Sequence, residues 1–470
     1  MSDNTPDDDF QEMLRRMLGG DASAFGGAGI DPEQLRNMGV DPTQMQQMMA
    51  AFQQAMSNSD GGIPWEAART GALHVANQDG LAITSGQRDD LAGAFQLADL
   101  WLSEATAIAP TGQFPLVLTR GEWVEQTLPV WQETAEPVAG SVADALTEAL
   151  EQQTPEEMRE MVSGASRMIR QIGGSLFAAQ LGQVVGKLSK EVVSGGDVGL
   201  PVLPAGVAAI LPQNFADLGE GLEIPHEELA LYFAARELAH ARLFKHAKWL
   251  RLHVMSQVTD FARGIHIDTT VLDDLAERFD PSDPQELQEA LGSGALLPQQ
   301  TEAQKNALDR LENMLALIEG WVDVVAADAA SRIPSLDRIA EATRRRRAVG
   351  GPAQDALGAL VGLQLRPRRL REAAAMWRAI GDAVGQDVRD GLWDYPDLVP
   401  TADDIDDPAA LIARLEASAR GEEAPLDEMD EALAQLFAEV EAEDAAEGSP
   451  DAGDGEGPDG SDAGGSDTTR

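Results

Sequence analysis

Residues 234–253, "AARELAHARLFKHAKWLRLH", contain three of the six histidines in this 470-residue chain. Apolar residues recur at helical spacing through the stretch, so we expect a helix here. Within it, Glu237 and His240 have the spacing of the last two residues of H-E-x-x-H, a metal-binding pattern. The question that decides both fold and function is whether this helix holds a metal ion.

The helix differs from that pattern at one position. In H-E-x-x-H the two histidines lie one turn apart on one face and bind Zn²⁺, while the glutamate acts as the base. Arg236 stands in the first position here, and a guanidinium has only donors, so it cannot bind zinc. His246 has the spacing of a third histidine in H-E-x-x-H-x-x-G-x-x-H, but Leu243 replaces the glycine that turns the chain. A continuing helix would therefore carry His246 about 120° around from His240.

A second stretch, "LIEGWVDVVAADAA" (residues 317–330), supplies two acidic residues one helical turn apart. In thermolysin-like zinc enzymes a glutamate on a second helix is the third ligand, and an aspartate one turn later supports the first histidine. Glu319 and Asp323 have this spacing. If the two helices meet, Arg236 would face these two carboxylates, because a planar fork of donors suits carboxylate oxygens. We predict that Arg236 then replaces the charge of zinc.

Composition excludes several classes of function. The formal charge is −45, from 35 basic and 80 acidic residues, which argues against nucleic-acid binding and against docking on an anionic membrane surface. The chain has no cysteine, so disulfides and Cys-ligated metals are excluded. No apolar run is long enough to cross a bilayer, and the acidic N-terminus lacks a signal-peptide pattern. We expect a cytoplasmic protein that binds no nucleic acid and inserts into no membrane.

The chain divides into three parts by composition. Residues 1–60 form a flexible Met/Gln/Gly-rich segment, residues 61–400 a mostly helical domain, and residues 401–470 an acidic, largely disordered tail. A methionine stripe within residues 41–56 predicts either a marginal surface helix or an adaptable docking element for a peptide or protein partner. The fold class is therefore mainly α, with disordered tails at both ends.

Three further patterns refine this expectation. The segment 199–214, "GLPVLPAGVAAILPQN", has apolar residues between prolines and predicts one or two short strands. Gly174, Ala178, Gly182 and Gly186 recur every four residues, so a second helix can approach that face closely. The run of arginines at 344–347 is expected to be a solvated helix end that complements the helix dipole.

Several of these stretches carry a resemblance to a known family. They are "EWVEQTLPVW", "LGQVVGKLSKEVV", "ARELAHARLFKHAKWLRLHV", "ARGIHID", "EGWVDVV" and "GLQLRPRRLREA". Over roughly residues 60–400 the chain resembles the zincin-like metallopeptidases of actinobacteria, which are often labelled hydrolases. The resemblance implies a zincin-like helical fold with a small sheet and a zinc cofactor. It makes Glu237 the general base, His240 the second zinc ligand and Glu319 the third. Arg236 departs from the family pattern, because it stands where the first zinc-binding histidine is expected.

Two hypotheses of function follow. In the first, the chain is a zincin-like hydrolase that acts on peptides through a metal held by His240, Glu319 and a replacement ligand. In the second, it is a catalytically inactive zincin-fold protein that binds a partner or scaffolds an assembly. The metal content of the purified protein separates the two.

Overall fold

The computed structural model describes residues 63–152, 159–220, 222–263, 301–348, 358 and 369–421. These residues are mostly helical and contain one very small sheet, so the predicted fold class is confirmed. The tails at 1–60 and from 422 onward lie outside the described residues. Among the described residues, no helix combines the length and apolar character that crossing a bilayer requires.

The first half of the domain contains five helices and both strands. They are α1 (Trp65–Asn77), α2 (Ser85–Ala105), β1 (Leu116–Val117), α3 (Arg120–Gln152), α4 (Arg159–Glu191), a 3₁₀ turn (Gly195–Val198), β2 (Ala209–Ile210) and α5 (Pro212–Glu220). The strands are parallel, with Leu116 opposite Ala209 and Val117 opposite Ile210. The sequence predicted a strand in 199–214, where β2 lies, but gave no sign of β1.

The second half contains helices and, among its described residues, no strand. It contains α6 (His226–His246), α7 (Lys248–Arg263), α8 (Glu302–Ala329), α9 (Leu336–Ala348), α10 (Leu370–Val384), α11 (Gln386–Gly391), a 3₁₀ turn (Pro396–Leu398) and α12 (Ala402–Asp406). A separate compact unit begins at residue 409, and its described part is the remainder of α13 (Pro408–Ala419). Helices therefore continue to residue 419, inside the segment that composition assigned to the acidic tail.

Helices α6 and α8 form the centre of the domain. From residue 229 to residue 244, every position of α6 but one is buried, and α8 is buried continuously from 315 to 326. A helix that is enclosed on all faces lies inside a core; here α6 packs against α2 and α8, and α8 packs also against α7 and α10. The charged residues within these two buried stretches are therefore held away from water.

Local sequence signals explain where these two helices begin. In α6, Glu227 and Glu228 occupy the first turn, where the helix dipole favours acidic residues. In α8, the Thr301 hydroxyl accepts from the Gln304 backbone N–H, and the Gln304 side chain accepts from the Thr301 backbone N–H. This reciprocal pair satisfies two donors that a helix start would otherwise leave unpaired.

Gly182 and Gly186, two residues of the small-residue stripe of α4, lie against α1; the sequence predicted that a second helix could approach this face. A Cβ atom on Gly182 would lie 2.6 Å from the Ala68 carbonyl oxygen, and one on Gly186 would lie 2.6 Å from the Val75 Cβ. Neither position has room for a side chain. The two helices therefore approach more closely than alanines would allow.

Gly182→Ala should for this reason destabilise the protein by about 1–3 kcal/mol, because the added methyl separates α1 from α4. The matched control is Gly93→Ala in the interior of α2, where an added Cβ meets nothing within 4 Å. That change should be neutral or stabilising by up to about 1 kcal/mol, since alanine favours helix. Urea unfolding of both variants measures the difference, and equal effects would contradict the close helix contact.

Candidate functional site

Five sequence-predicted residues meet between α6 and α8. Arg236, Glu237 and His240 come from α6, and Glu319 and Asp323 come from α8. Each pair with a spacing of four lies on one helix face, so Arg236 and His240 can face Glu319 and Asp323 across the helix contact. None of the five is more than 5% exposed. The convergence was expected from these spacings together with the two-helix arrangement of thermolysin-like zinc enzymes, and the chemical roles of these residues stay predictions.

Arg236 is the cation at the centre of this cluster. Its Nη2 atom donates to Glu319 Oε2, and its Nη1 atom lies 3.9 Å from Asp323 Oδ1. The other oxygen of Glu319, Oε1, lies 3.2 Å from His240 Nε2. The guanidinium thus faces both carboxylates of α8, which is the arrangement that the sequence predicted.

The surroundings keep Arg236 charged. Burial by itself lowers the pKa of Arg236, but the carboxylates of Glu319 and Asp323, together with Tyr232, raise it further than burial lowers it. The net pKa lies above the ordinary value for arginine. The carboxylates of Glu319 and Asp323 face the same guanidinium and would repel each other without it. The fixed positive charge of Arg236 therefore stabilises the cluster.

Two arginines from the run at 344–347 also contribute to the site. The run lies at the end of α9 and Arg345 is exposed, as the sequence indicated, but Arg344 and Arg346 pair with acids of the site. Arg344 Nε donates to Asp323 Oδ2 at 3.2 Å. Arg346 Nη1 donates to both oxygens of Asp197 at 2.7 Å, and Asp197 belongs to the 3₁₀ turn at Gly195–Val198. These arginines are paired with buried acids because α9 passes beside α6, and a local charge pattern gives no sign of such distant partners.

Glu237 is held by the backbone of the 3₁₀ turn and the sheet. Gly196 N–H donates to both of its oxygens, 2.8 Å to Oε2 and 3.1 Å to Oε1, and Ala209 N–H donates to Oε1 at 3.2 Å. Burial raises the pKa of Glu237, and His240 and the Gly196 N–H lower it in part. The residue at the general-base position of the pattern is therefore engaged by backbone donors.

The same turn covers the cluster. A Cβ atom on Gly196 would lie 2.9 Å from His240 Cδ2, and one on Gly195 would lie 2.7 Å from Glu237 Oε1. Only glycine fits at either position. The described residues leave a cavity of about 30 Å³ beside Glu237 and His240, which is room for a water molecule or two and not for a peptide.

His246 does not join the cluster. Its Nε2 atom lies 2.7 Å from Asp394 Oδ1, near the end of α6 and partly exposed. Among the described residues, no group of three histidine, aspartate, glutamate or cysteine side chains could hold a metal ion. The expectation that His246 could stand in as a ligand therefore finds no support in the geometry.

Comparison with known proteins identifies the family. A family model described as zincin-like metallopeptidase matches residues 63–412. The chain belongs to the zincin-like metallopeptidase family. No curated protein matches the chain. A crystal structure described as a putative hydrolase with a novel fold, from Chloroflexus aurantiacus, matches with a TM-score of 0.51 at 20% identity, over 75% of this chain and 99% of that one. That likeness concerns the fold.

Family membership implies a zinc ion, and the question is whether the side chains of this cluster can supply its ligands. A catalytic zinc site supplies three protein ligands and leaves a fourth position for water. Here His240 and Glu319 approach each other as two ligands would, but the third position holds the Arg236 guanidinium, which pairs with Glu319 itself. A cation already bound to a ligand carboxylate opposes a second cation. The described residues therefore do not fit the zinc centre of the family.

Replacement of Glu237 by glutamine should change how stability depends on pH. A raised pKa in the folded protein means that Glu237 contributes stability below its ordinary pKa of 4.5 and loses it as the pH rises through the folded value. Glu237→Gln removes this titration. The stability of the wild type relative to the variant should therefore fall as the pH rises above about 4.5.

The control for this measurement is Glu133→Gln, which neutralises an exposed glutamate on α3. It corrects for the general effect of removing one negative charge from a highly acidic chain. Unfolding free energies would be measured by denaturant titration over a range of pH. If the stability of the wild type relative to Glu237→Gln rises with pH, or follows the same curve as its stability relative to Glu133→Gln, the raised pKa is contradicted.

Proposed function

We propose that this chain is a member of the zincin-like family in which Arg236 takes the place of the metal ion, and that it acts as a binding or scaffold protein instead of a peptidase. The observation that carries the proposal is the buried contact of Arg236 with Glu319 and Asp323. In this proposal the former catalytic centre is a structural core that holds α6 against α8.

The position of Glu237 supports the same conclusion. A general base must reach the water whose proton it removes, at about 2.6–3.2 Å. Both oxygens of Glu237 accept backbone N–H groups, and glycines 195 and 196 are pressed against Glu237 and His240. No substrate-sized space lies next to these side chains among the described residues. In this proposal Glu237 serves no metal-bound water, and the described residues leave no access for a peptide beside it.

The proposed partner is a peptide or another protein. Two features of the sequence suit that role: the methionine-rich segment at residues 41–56 and the acidic segment after residue 421, both outside the described residues. On the described surface, Phe114 is 92% exposed in the loop before β1.

A metal-dependent hydrolase is the second candidate, and one distance favours it. His240 Nε2 and Glu319 Oε1 are 3.2 Å apart, close to the roughly 3.3 Å between two ligands of a tetrahedral zinc with bonds of about 2.05 Å. With Glu237 on the same helix, this retains most of the family's hydrolytic set. The hydrolase proposal requires a replacement for the ligand that Arg236 removes.

Zinc content separates the two candidates. Wild-type protein dialysed against a mild chelator should retain no zinc, since two ligands are too few for a stable site. Arg236→His restores the histidine at the first position, so it should gain zinc at about one ion per chain and gain thermal stability when zinc is added. Adding His240→Ala to that variant should abolish both effects.

Two results would overturn the proposal in favour of the hydrolase. One is wild-type protein that retains about one zinc per chain. The other is metal-dependent cleavage of casein or of a peptide library by the wild type that is lost in Glu237→Gln. Failure of Arg236→His to bind zinc, with the variant correctly folded, would contradict the claim that arginine occupies the metal position.

A further inference from the structure

A second cavity lies behind the buried cluster, on the other side of Asp323. Its volume is about 430 Å³, and it is bounded by α8, α9 and α10. Asp323 and Val324 supply residues from α8, and Arg344 and Glu341 supply residues from α9. The volume falls within the range of small-molecule sites, about 300–1,000 Å³, and is more than ten times that of the cavity beside Glu237.

One face of α10 forms the third wall. Arg371, Ala374, Ala375 and Arg378 all line the cavity, and their spacing of i, i+3, i+4 and i+7 places them on a single helix face. The two alanines leave room between two long cationic side chains about 10 Å apart along the axis. The apolar residues that pack α10 into the core, such as Trp377 and Ile380, lie on its other faces.

The acidic groups in this cavity are already paired. Asp323 accepts from Arg344 and faces Arg236. Glu341 accepts from Arg345 Nε at 2.8 Å and lies 3.5 Å from both Arg344 and Arg371. The carboxylates of the described lining are thus shared among several arginines, and among these residues no acid is left to receive a cationic ligand.

The two arginines of α10 are the least committed charges in the cavity. Arg371 is 68% exposed, and its described ion pair is the 3.5 Å contact with the shared Glu341. Arg378 is 50% exposed and pairs with the exposed Asp328 at 3.1 Å. Surface pairs of this kind contribute little and are readily exchanged for a better partner. A guanidinium offers the donor fork that fits carboxylate and phosphate oxygens.

We propose that this cavity, which we name the α8–α10 cleft, binds a small organic anion with two or more negative charges, held between Arg371 and Arg378 with Arg344 at its inner end. The recognised groups are phosphate or carboxylate oxygens. Three arginines and two carboxylates line the cleft, so its lining does not share the strongly negative balance of the chain, which is −45 overall. The proposal is independent of whether the Arg236 centre holds a metal.

Calorimetric titration of the full chain with pyrophosphate and with citrate tests the proposal, with potassium chloride at matched ionic strength as the salt control. We expect saturable binding of at least one of the two anions and a rise in melting temperature with its concentration. Binding of pyrophosphate alone would identify phosphate as the recognised group, and binding of citrate alone would identify carboxylate; either result supports the proposal.

Variants locate the binding. Arg371→Gln and Arg378→Gln should each weaken it about tenfold, the effect of losing one charge-assisted hydrogen bond. Arg88→Gln removes an exposed arginine of α2 that does not line the cleft and should leave affinity unchanged. Ala375→Leu keeps every charge but fills the space, so it should also weaken binding.

The proposal is overturned if neither anion binds saturably, if Arg88→Gln weakens binding as much as Arg371→Gln, or if Ala375→Leu has no effect.

Discussion

The buried ion pair between Arg236 and Glu319 is the interaction on which the centre of this domain depends. Both side chains are at least 95% buried, and a charge removed from water without a partner costs several kcal/mol. Asp323 would add a second buried carboxylate, and Arg344 supplies the second guanidinium that offsets it. The alternation of arginines and acids across α6, α8 and α9 allows three charges, on Arg236, Glu319 and Asp323, to remain buried beside the partly exposed guanidinium of Arg344.

This network also accounts for the neighbouring backbone. Arg346 holds Asp197, and Asp197 in turn accepts the Val193 N–H, so the 3₁₀ turn at residues 195–198 is fixed to α9. The fixed turn directs the Gly196 N–H at Glu237, and β2 directs the Ala209 N–H at the same carboxylate. A residue that would act as a base in a zinc peptidase becomes a bridge between the turn, the sheet and α6.

The sequence was most informative where spacing along one helix determines which residues share a face. Arg236 with His240, and Glu319 with Asp323, are each one turn apart, so their convergence needed only the assumption that the two helices meet. The small-residue stripe on α4 was predictable for the same reason. The assumption that the helices of Arg236 and Glu319 meet came from the resemblance to the zincin-like family.

The residues that were missed depend on contacts distant in the chain. Arg346 and Asp197 are 149 positions apart, and nothing local distinguishes the arginines of α9 from an ordinary helix end. The sequence carried no expectation for the glycines at 195 and 196, because their need for close approach exists only when α6 lies beneath them. Strand β1 has two residues, too few to produce a periodic pattern.

The central claim is that Arg236 and Glu319 act as one unit, and a double-mutant cycle measures this most directly. Arg236→Met and Glu319→Gln each remove one charge at nearly constant volume, and each should cost about 3–5 kcal/mol by leaving the other charge buried and unpaired. The double variant should cost much less than the sum, with a coupling energy of about 2 kcal/mol or more in metal-free buffer. Additive effects of the two changes would contradict the account.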